Sequence, residues 1–286
     1  MNWLLKILSM LPLRLLQLIG AGIGSLAFRL IPVLRNRTNE HLDLAGLNAP
    51  GLYARVGRNV GRQALESCWI WNRPADEVCR RVTVSDDARR IIDGAVRSGR
   101  PLVFLTPHFG CFEVLPVWFA HTYHESLGKS IAVLFKPPKK AIIAKVVGES
   151  RQAPGIMACP TTIVGVKHVI KALRRGDAFG ALPDQVPTAG DGVWADFFGR
   201  PAYTMTLPMR VAHQFDAVRI FAWTSREGHG WRLDAMLWDE PLTGDLKKDA
   251  RSMNRMIEEI VRLRPEQYGW SYNRYKGANA PRPDAE

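Results

Sequence analysis

Residues 101–113, PLVFLTPHFGCFE, decide the fold, because a short apolar run ends there in a turn that contains proline and glycine. Further apolar runs with similar ends follow at 130–135, 178–183 and 217–223. Segments long enough for helices lie between the runs, at 110–121, 139–150, 164–175 and 206–214. Apolar strands that alternate with helices are typical of a parallel sheet covered on both faces. The sequence therefore predicts an α/β fold with a largely parallel central sheet covered by helices.

Elements on both sides of this region complete the prediction. Apolar side chains recur at helical spacing within 38–73, and a second helical segment covers 86–98. Residues 232–238 have the composition of an additional strand, and 247–263 form a charged amphipathic helix. Because no repeat or low-complexity linker divides the chain, we expect one folded domain over 35–276 and a mobile tail at 277–286.

The most apolar segment is 3–34, which charges interrupt at Lys6, Arg14 and Arg29. Its uncharged run, 15–28, has 14 residues, whereas a spanning helix needs about 20. Three interpretations stay open: a cleaved signal peptide, a buried pair of core helices, or a membrane anchor that spans the bilayer or lies in its interface. We favour an anchor over residues 1–34, with the cluster Arg29, Arg35 and Arg37 on the cytoplasmic side.

The charge balance favours an anionic partner. Lysine and arginine total 39 against 27 acidic residues, which gives a net charge of +12. An anionic membrane surface, nucleic acid or an acidic protein would suit this charge. The basic residues are dispersed and no known nucleic-acid motif is present, so we expect no nucleic acid partner. The four cysteines lack CxxC and zinc-site spacing, and we therefore predict no metal site.

His108 and Glu113 are the candidate catalytic residues of the 101–113 segment. On one regular helix, side chains five residues apart point about 140° away from each other. The two can meet only if His108 lies in the turn and Glu113 in the first helical turn, where the carboxylate would orient the imidazole. Alternatively, His108 caps the helix and Glu113 is a favourable first-turn acid. Cys111 is a weaker candidate, as a nucleophilic thiol.

The segment HFGCFE, 108–113, resembles the H-x4-E motif of the lipid A late acyltransferases. The likeness continues in order along most of the chain. Asp184-Gln185 and FFGRPA at 197–202 resemble the DQ and FFG-x-P-A block of that family, and Arg151 stands where the family has an arginine. PEQYGW at 265–270 and RYK at 274–276 resemble its C-terminal motif. The short motif alone is weak, but the blocks in this order are a specific signal.

The resemblance implies an O-acyltransferase that moves a fatty acyl chain directly from acyl carrier protein to a hydroxyl of a lipid A precursor, without a cofactor. It implies a location at the cytoplasmic face of the inner membrane. His108 would be the general base and Glu113 its partner. Arg151, Asp184 and Arg200 would bind substrate.

Several alternatives stay open. Asp184 is also a plausible turn or cap aspartate. The oxyanion would be stabilised by backbone N–H groups after Gly110 or by Arg151. The acceptor would instead be a glycerophospholipid, a mannosylated phosphoinositide or an ornithine lipid. A non-catalytic membrane scaffold on the same fold is a further alternative.

Overall fold

The computed structural model describes residues 9–135 and 152–277. Its helices are α1 (Leu13–Leu30), α2 (Pro32–Leu44), α3 (Leu52–Ile70), α4 (Ala75–Cys79), α5 (Asp86–Arg97), α6 (Val114–Leu127), α7 (Ile163–Arg174), α8 (Leu207–Gln214) and α9 (Leu246–Leu263). Its strands are β1 (Val82–Val84), β2 (Leu102–Leu105), β3 (Ile131–Phe135), β4 (Ile156–Pro160), β5 (Ala178–Ala181), β6 (Gly192–Phe197), β7 (Arg200–Met205), β8 (Val218–Glu227) and β9 (Gly230–Leu237). A short 3-10 helix, Pro265–Gln267, follows α9.

Seven strands form the main sheet in the order β1-β9-β8-β2-β5-β3-β4. Neighbouring strands are parallel except β8 and β9, which are antiparallel. The central strand β2 is buried throughout, with Phe104 packed in one apolar cluster and Val103 and Leu105 in another. The structure thus confirms a mostly parallel sheet with helices on both faces. Strands β6 and β7 form a separate antiparallel hairpin.

Most predicted elements are confirmed. The apolar runs at 101–106, 130–135, 178–183, 217–223 and 232–238 are β2, β3, β5, β8 and β9, and the segments at 86–98, 164–175, 206–214 and 247–263 are α5, α7, α8 and α9. The helix predicted to begin at residue 110 begins at Val114. The predicted helix at 139–150 and nearly all of the predicted tail lie outside the described residues.

The helical stretch predicted over 38–73 is divided into two helices. The structure has two helices there, α2 and α3, because Gly46 and Gly51 adopt positive φ angles of 64° and 73° between them. Glycine adopts this left-handed conformation readily, and it ends a helix. The sequence analysis also missed β1, β4 and the β6–β7 hairpin.

Helix α1 packs against α3 at very short range. A Cβ atom added at Gly24 would overlap the carbonyl oxygen of Gly57, and one added at Gly61 would overlap that of Gly20. These glycines allow the two backbones to touch, which larger side chains would prevent. Leu16 and Phe28 of α1 are buried as well, at 0% and 2% exposure. One face of α1 is therefore part of the protein core.

The opposite face of α1 is apolar and exposed. Its exposed large apolar side chains are Leu15, Leu18, Ile19, Ile23, Leu26 and Leu30. Among the described residues, Leu13–Leu30 is the helix that is long and apolar enough to cross a membrane, and a third of it is buried inside the protein. The predicted boundary after residue 34 falls within α2. An anchor at 1–34 and the domain division stay predictions, but α1 belongs to the packed body.

The close approach of α1 and α3 gives a testable stability difference. We expect Gly24→Ala to lower the free energy of unfolding by about 1–3 kcal/mol, because its methyl group would force the helices apart. Gly22→Ala is the matched control, since a Cβ atom there meets nothing within 4 Å. Alanine favours a helix over glycine by about 1 kcal/mol, so the control should be neutral or stabilising. Equal denaturation midpoints for the two variants would contradict the packing.

Candidate active site

His108 lies in the turn between β2 and α6, at the centre of the C-terminal edge of the sheet. Gly110 makes this turn possible: its φ is 56°, and a Cβ atom would overlap the carbonyl oxygen of Thr224 on β8. The N–H of Gly110 donates to the carbonyl of Gln267 at 2.9 Å, and the carbonyl of His108 accepts from the N–H of Gly269 at 3.0 Å. The turn is therefore held by two distant segments of the chain.

Asp184 is the carboxylate partner of His108. It follows β5, which pairs in parallel with β2, so the two strands bring both residues to the same edge. Asp184 Oδ1 lies 2.7 Å from His108 Nδ1, and Oδ2 accepts from the backbone N–H of His108 at 2.8 Å. Since a carboxylate is an acceptor, Nδ1 must carry the proton, which leaves Nε2 of the neutral imidazole basic.

The protonation of Asp184 follows from the same contacts. Asp184 is 3% exposed, and this burial alone would raise its pKa. Interaction with the charge of a protonated His108 and the hydrogen bonds from His108 lower the pKa by more than burial raises it. The net result is a pKa below the ordinary value. Asp184 is thus ionised at neutral pH and stabilises an imidazolium at His108.

Glu113 lies at the start of the helix that follows the His108 turn, close to its predicted position, but its observed hydrogen bond goes to a tryptophan. Its Oε2 accepts from the indole N–H of Trp71 at 3.1 Å, and the residue is 6% exposed at the start of α6. The hydrogen bonds of the His108 ring in the described part of the chain go to Asp184 and Gln185. Among the described residues, no hydrogen bond joins Glu113 to the imidazole, and the role of Glu113 as the partner of His108 stays a prediction.

His108 opens into a cavity of about 180 Å³. Its Nε2 lies 3.0 Å from Nε2 of Gln185, whose amide N–H is suited to donate to it. The walls are largely aromatic, and the lining residues are His41, Val60, Gln63, Phe112, Phe197, Tyr268, Gly269, Trp270, Ser271, Tyr272, Arg274 and Tyr275, with His108, Asp184 and Gln185. A polar base beside aromatic walls suits a substrate that has an apolar part and a reacting polar group.

Three lining residues that the sequence analysis did not single out shape this cavity. Arg274 is 3% exposed and donates to the carbonyl of Tyr203 at 2.7 Å. His41 Nδ1 donates to the carbonyl of Trp270 at 2.8 Å, and burial lowers the pKa of His41. Burial and the neighbouring Asp184 raise the pKa of Tyr268 well above its ordinary value. For Arg274 and Tyr268 the signal in the sequence was the similarity of 265–276 to a family motif, and for His41 there was none.

Of the other predicted binding residues, Arg200 does not line this cavity. Arg151 lies outside the described residues. Arg200 begins β7, pairs with Glu40 at 3.2 Å, and stacks 5.0 Å from the ring centre of Tyr275. Arg200 therefore contacts Tyr275, which lines the cavity, but does not line the cavity itself. In the described part of the chain, no three His, Cys, Asp or Glu side chains are placed to hold a metal ion.

Among the predicted oxyanion donors that follow Gly110, the N–H of Cys111 is already occupied, as is the N–H of Gly110 itself. The N–H of Gly110 donates to Gln267, and the N–H of Cys111 donates to the carbonyl of Thr224 at 3.1 Å. Tyr272 is a better placed donor, since it lines the cavity and its oxygen accepts from the N–H of Val186 at 3.0 Å, which leaves its own proton to donate.

A buried ion pair supports the turn from behind. Arg226 on β8 lies 2.6 Å from Glu66 on α3, and their side chains are 8% and 0% exposed. The same guanidinium donates to the carbonyl of Gly110 at 2.9 Å. Removal of one partner of such a pair costs about 3–5 kcal/mol. The fold thus anchors the His108 turn to α3.

Comparison with known proteins assigns this arrangement to a family. Residues 1–277 match the family described as bacterial lipid A biosynthesis acyltransferase. The chain belongs to this family. It is 26% identical over 183 residues to a lipid A biosynthesis acyltransferase of Haemophilus influenzae. This alignment covers 63% of this chain and 55% of the relative.

Two further members of the family show similar identities. The chain is 28% identical over 185 residues to the lipid A biosynthesis myristoyltransferase of Escherichia coli, covering 63% of this chain and 55% of that protein. It is 26% identical over 189 residues to lipid A biosynthesis acyltransferase 2 of Shigella flexneri, covering 63% and 57%. The matched region thus spans little more than half the length of these relatives.

Proposed function

We propose that this protein is an O-acyltransferase that moves a fatty acyl chain from acyl carrier protein to a hydroxyl of a lipid A precursor. The observation that carries the proposal is the His108–Asp184 pair, which presents a basic Nε2 atom to an aromatic cavity. Membership of the acyltransferase family and the names of three relatives support the reaction class and the acceptor.

The site suits direct transfer between two bound substrates. The acceptor hydroxyl would take the place of the Gln185 amide beside Nε2 of His108, which accepts its proton as the oxygen attacks the thioester carbonyl. Asp184 stabilises the imidazolium that forms. The tetrahedral oxyanion then collapses, the C–S bond breaks, and His108 returns the proton to the leaving thiolate. The products are an ester and a free thiol, with Tyr272 available to stabilise the oxyanion.

The surface of α1 supports a location at the inner membrane, on the cytoplasmic face. Its exposed apolar side chains cover the face opposite the core, as expected of a helix that contacts lipid. The net charge of +12 would add attraction to an anionic membrane surface. A protein placed in this way receives a lipid acceptor from the bilayer and a carrier-bound donor from the aqueous side.

Cys111 separates direct transfer from a covalent mechanism. The thiol is fully buried, and burial raises its pKa well above the ordinary value, which disfavours the thiolate that a nucleophile needs. We expect Cys111→Ser to keep activity within about tenfold of the parent, since small-to-small changes in a core cost about 1 kcal/mol. Intact mass spectrometry with donor alone should show no acyl adduct. A hydroxylamine-sensitive acyl group on Cys111 would refute direct transfer.

The proposed function is tested by mass spectrometry of membrane lipids from cells with and without the gene. We expect a lipid A species whose mass increases by one acyl group only when the gene is present. Complementation with His108→Ala should not restore that species. A mass step confined to phospholipids would assign a different acceptor, and full complementation by His108→Ala would favour a non-catalytic scaffold.

A further inference from the structure

A second cavity, of about 500 Å³, lies between the N-terminal half of α1, α3 and the turn between β8 and β9. It is separate from the cavity at His108 and shares none of its lining residues. Its lining includes six arginines, which are Arg14, Arg55, Arg58, Arg62, Arg226 and Arg264. We call it the arginine cavity.

Most of this positive charge is not neutralised within the protein. Arg226 pairs with Glu66 at 2.6 Å and Arg264 with Glu227 at 3.4 Å. The other four arginines form no ion pair with a carboxylate of the described residues, and Glu266 is the one acidic residue of the lining. Four unpaired guanidinium groups against one carboxylate leave an excess of three positive charges around a concave space.

The electrostatics of Arg62 are consistent with this excess. Burial and repulsion from Arg226 and Arg58 lower the pKa of Arg62, and Glu66 offsets this only in part. A bound anion would relieve the repulsion. Guanidinium groups bind phosphate and carboxylate oxygens with two parallel hydrogen bonds. A phosphate ester suits a cluster of several arginines better than a single carboxylate does, because it carries more negative charge and more acceptor oxygens.

The position of the arginine cavity connects it to lipid and to the active site. Leu18, an exposed apolar residue of α1, lies on its rim, so acyl chains along α1 would reach it. Helix α3 forms a wall of both cavities: Asn59 and Arg62 line one, and Val60 and Gln63 line the other. Arg226 of the lining also holds the carbonyl of Gly110, two residues from His108.

We propose that the arginine cavity binds a phosphate group of a membrane lipid whose acyl chains lie along α1. A recess of this size admits a phosphate headgroup but no folded protein element, which disfavours a carrier protein as the occupant. The lipid is either the acceptor itself or a bulk anionic phospholipid. The binding of a lipid phosphate in the arginine cavity does not depend on the proposed function. Only the identification of that lipid as the acceptor, placed beside His108, rests on it.

The test compares the full-length Arg58→Gln/Arg62→Gln double variant with the parent. The matched control, Arg97→Gln/Arg174→Gln, removes two exposed arginines that line neither cavity. Binding is measured by flotation with phosphatidylcholine vesicles that contain either phosphatidylglycerol or a bisphosphorylated lipid A precursor. The precursor is also used after phosphatase treatment. Acyl transfer from acyl carrier protein is measured in parallel, with separate KM values for donor and acceptor.

We expect the double variant to bind the phosphorylated vesicles about 10- to 30-fold more weakly, since each basic residue contributes about 1 kcal/mol near an anionic surface. The control should change binding less than about threefold. Loss confined to the precursor, with a raised acceptor KM and an unchanged donor KM, assigns the site to the acceptor. Loss confined to phosphatidylglycerol assigns it to bulk phospholipid. Both results support the lipid phosphate site.

Three results would overturn the inference. In the first, the double variant binds all vesicles as tightly as the parent does. In the second, the double variant and its control lose the same vesicle affinity. In the third, the double variant loses as much affinity for vesicles with phosphatase-treated precursor as for vesicles with the phosphorylated precursor. A raised donor KM without weaker vesicle binding would show instead that the arginines receive the carrier protein, which also contradicts it. The flotation measurement needs no turnover, so it tests the lipid phosphate site separately from the proposed function. If the parent protein shows no acyl transfer but the double variant still binds phosphorylated vesicles more weakly, the proposed function is refuted and this inference stands.

Discussion

The His108→Ala enzyme should lose about 10²- to 10⁴-fold in kcat/KM for acyl transfer while it keeps its fold. General-base assistance is worth this much, and the described residues near the cavity offer no second base at the position of Nε2. The variant should retain the parent circular dichroism spectrum, because the ring is in the turn and not in the core of the sheet.

The control for this result is His121→Ala, which makes the same substitution on an exposed face of α6. It should keep activity within about twofold, since surface substitutions change stability by about 0.5 kcal/mol or less. Activity of His108→Ala within about threefold of the parent would end the general-base mechanism. Loss in both histidine variants would point to a general defect of the preparation.

Asp184→Asn should produce a loss of similar size, about 10³- to 10⁴-fold in kcat, with acceptor KM changed little. The amide is isosteric, so the turn should survive, but it no longer favours the Nδ1–H tautomer or stabilises the imidazolium; an aspartate-to-asparagine change in a serine protease triad costs about 10⁴-fold. Glu113→Gln is the comparison variant. If kcat of Asp184→Asn stays within tenfold of the parent while kcat of Glu113→Gln falls by more than tenfold, Glu113 and not Asp184 orients the imidazole.

The same substitution should alter the acid stability of the protein. The pKa of Asp184 is lower in the folded state than its ordinary value. Its ionised form therefore stabilises the fold above the unfolded pKa of about 3.9, and this contribution is lost as pH falls through the folded pKa. Denaturation of Asp184→Asn should consequently depend less on pH below about pH 4 than that of the parent.

The local part of the site could be predicted from sequence, and the distant part could not. His108 stands where an apolar strand meets Pro107 and Gly110, and that pattern placed it at a sheet edge. Asp184 is 76 residues further along, and only the parallel pairing of β2 with β5 brings it to the imidazole. Strand order is not encoded in periodicity, so the sequence predicts Glu113 of the H-x4-E segment as the partner and does not predict the contact with Asp184.

The role of α1 was hidden for a similar reason. Its apolar composition predicts a membrane helix, and its exposed face fits that interpretation. Gly20 and Gly24 carry no apolar signal, yet they are the residues that let α1 pack on α3. The arginines of the arginine cavity come from α1, α3, β8 and the end of α9, and only the tertiary packing of these elements collects them around one space.

The central claim is that His108 and Asp184 transfer an acyl group directly to a lipid hydroxyl. It is tested most directly by incubating the purified protein with acyl carrier protein thioester and a lipid A precursor, and then weighing the lipid by mass spectrometry. We predict a mass increase of one acyl group, one free thiol released per ester formed, and at least about 100-fold slower formation of both products with His108→Ala or Asp184→Asn. Thiol release without acylated lipid, or full acylation by both variants, would contradict the claim.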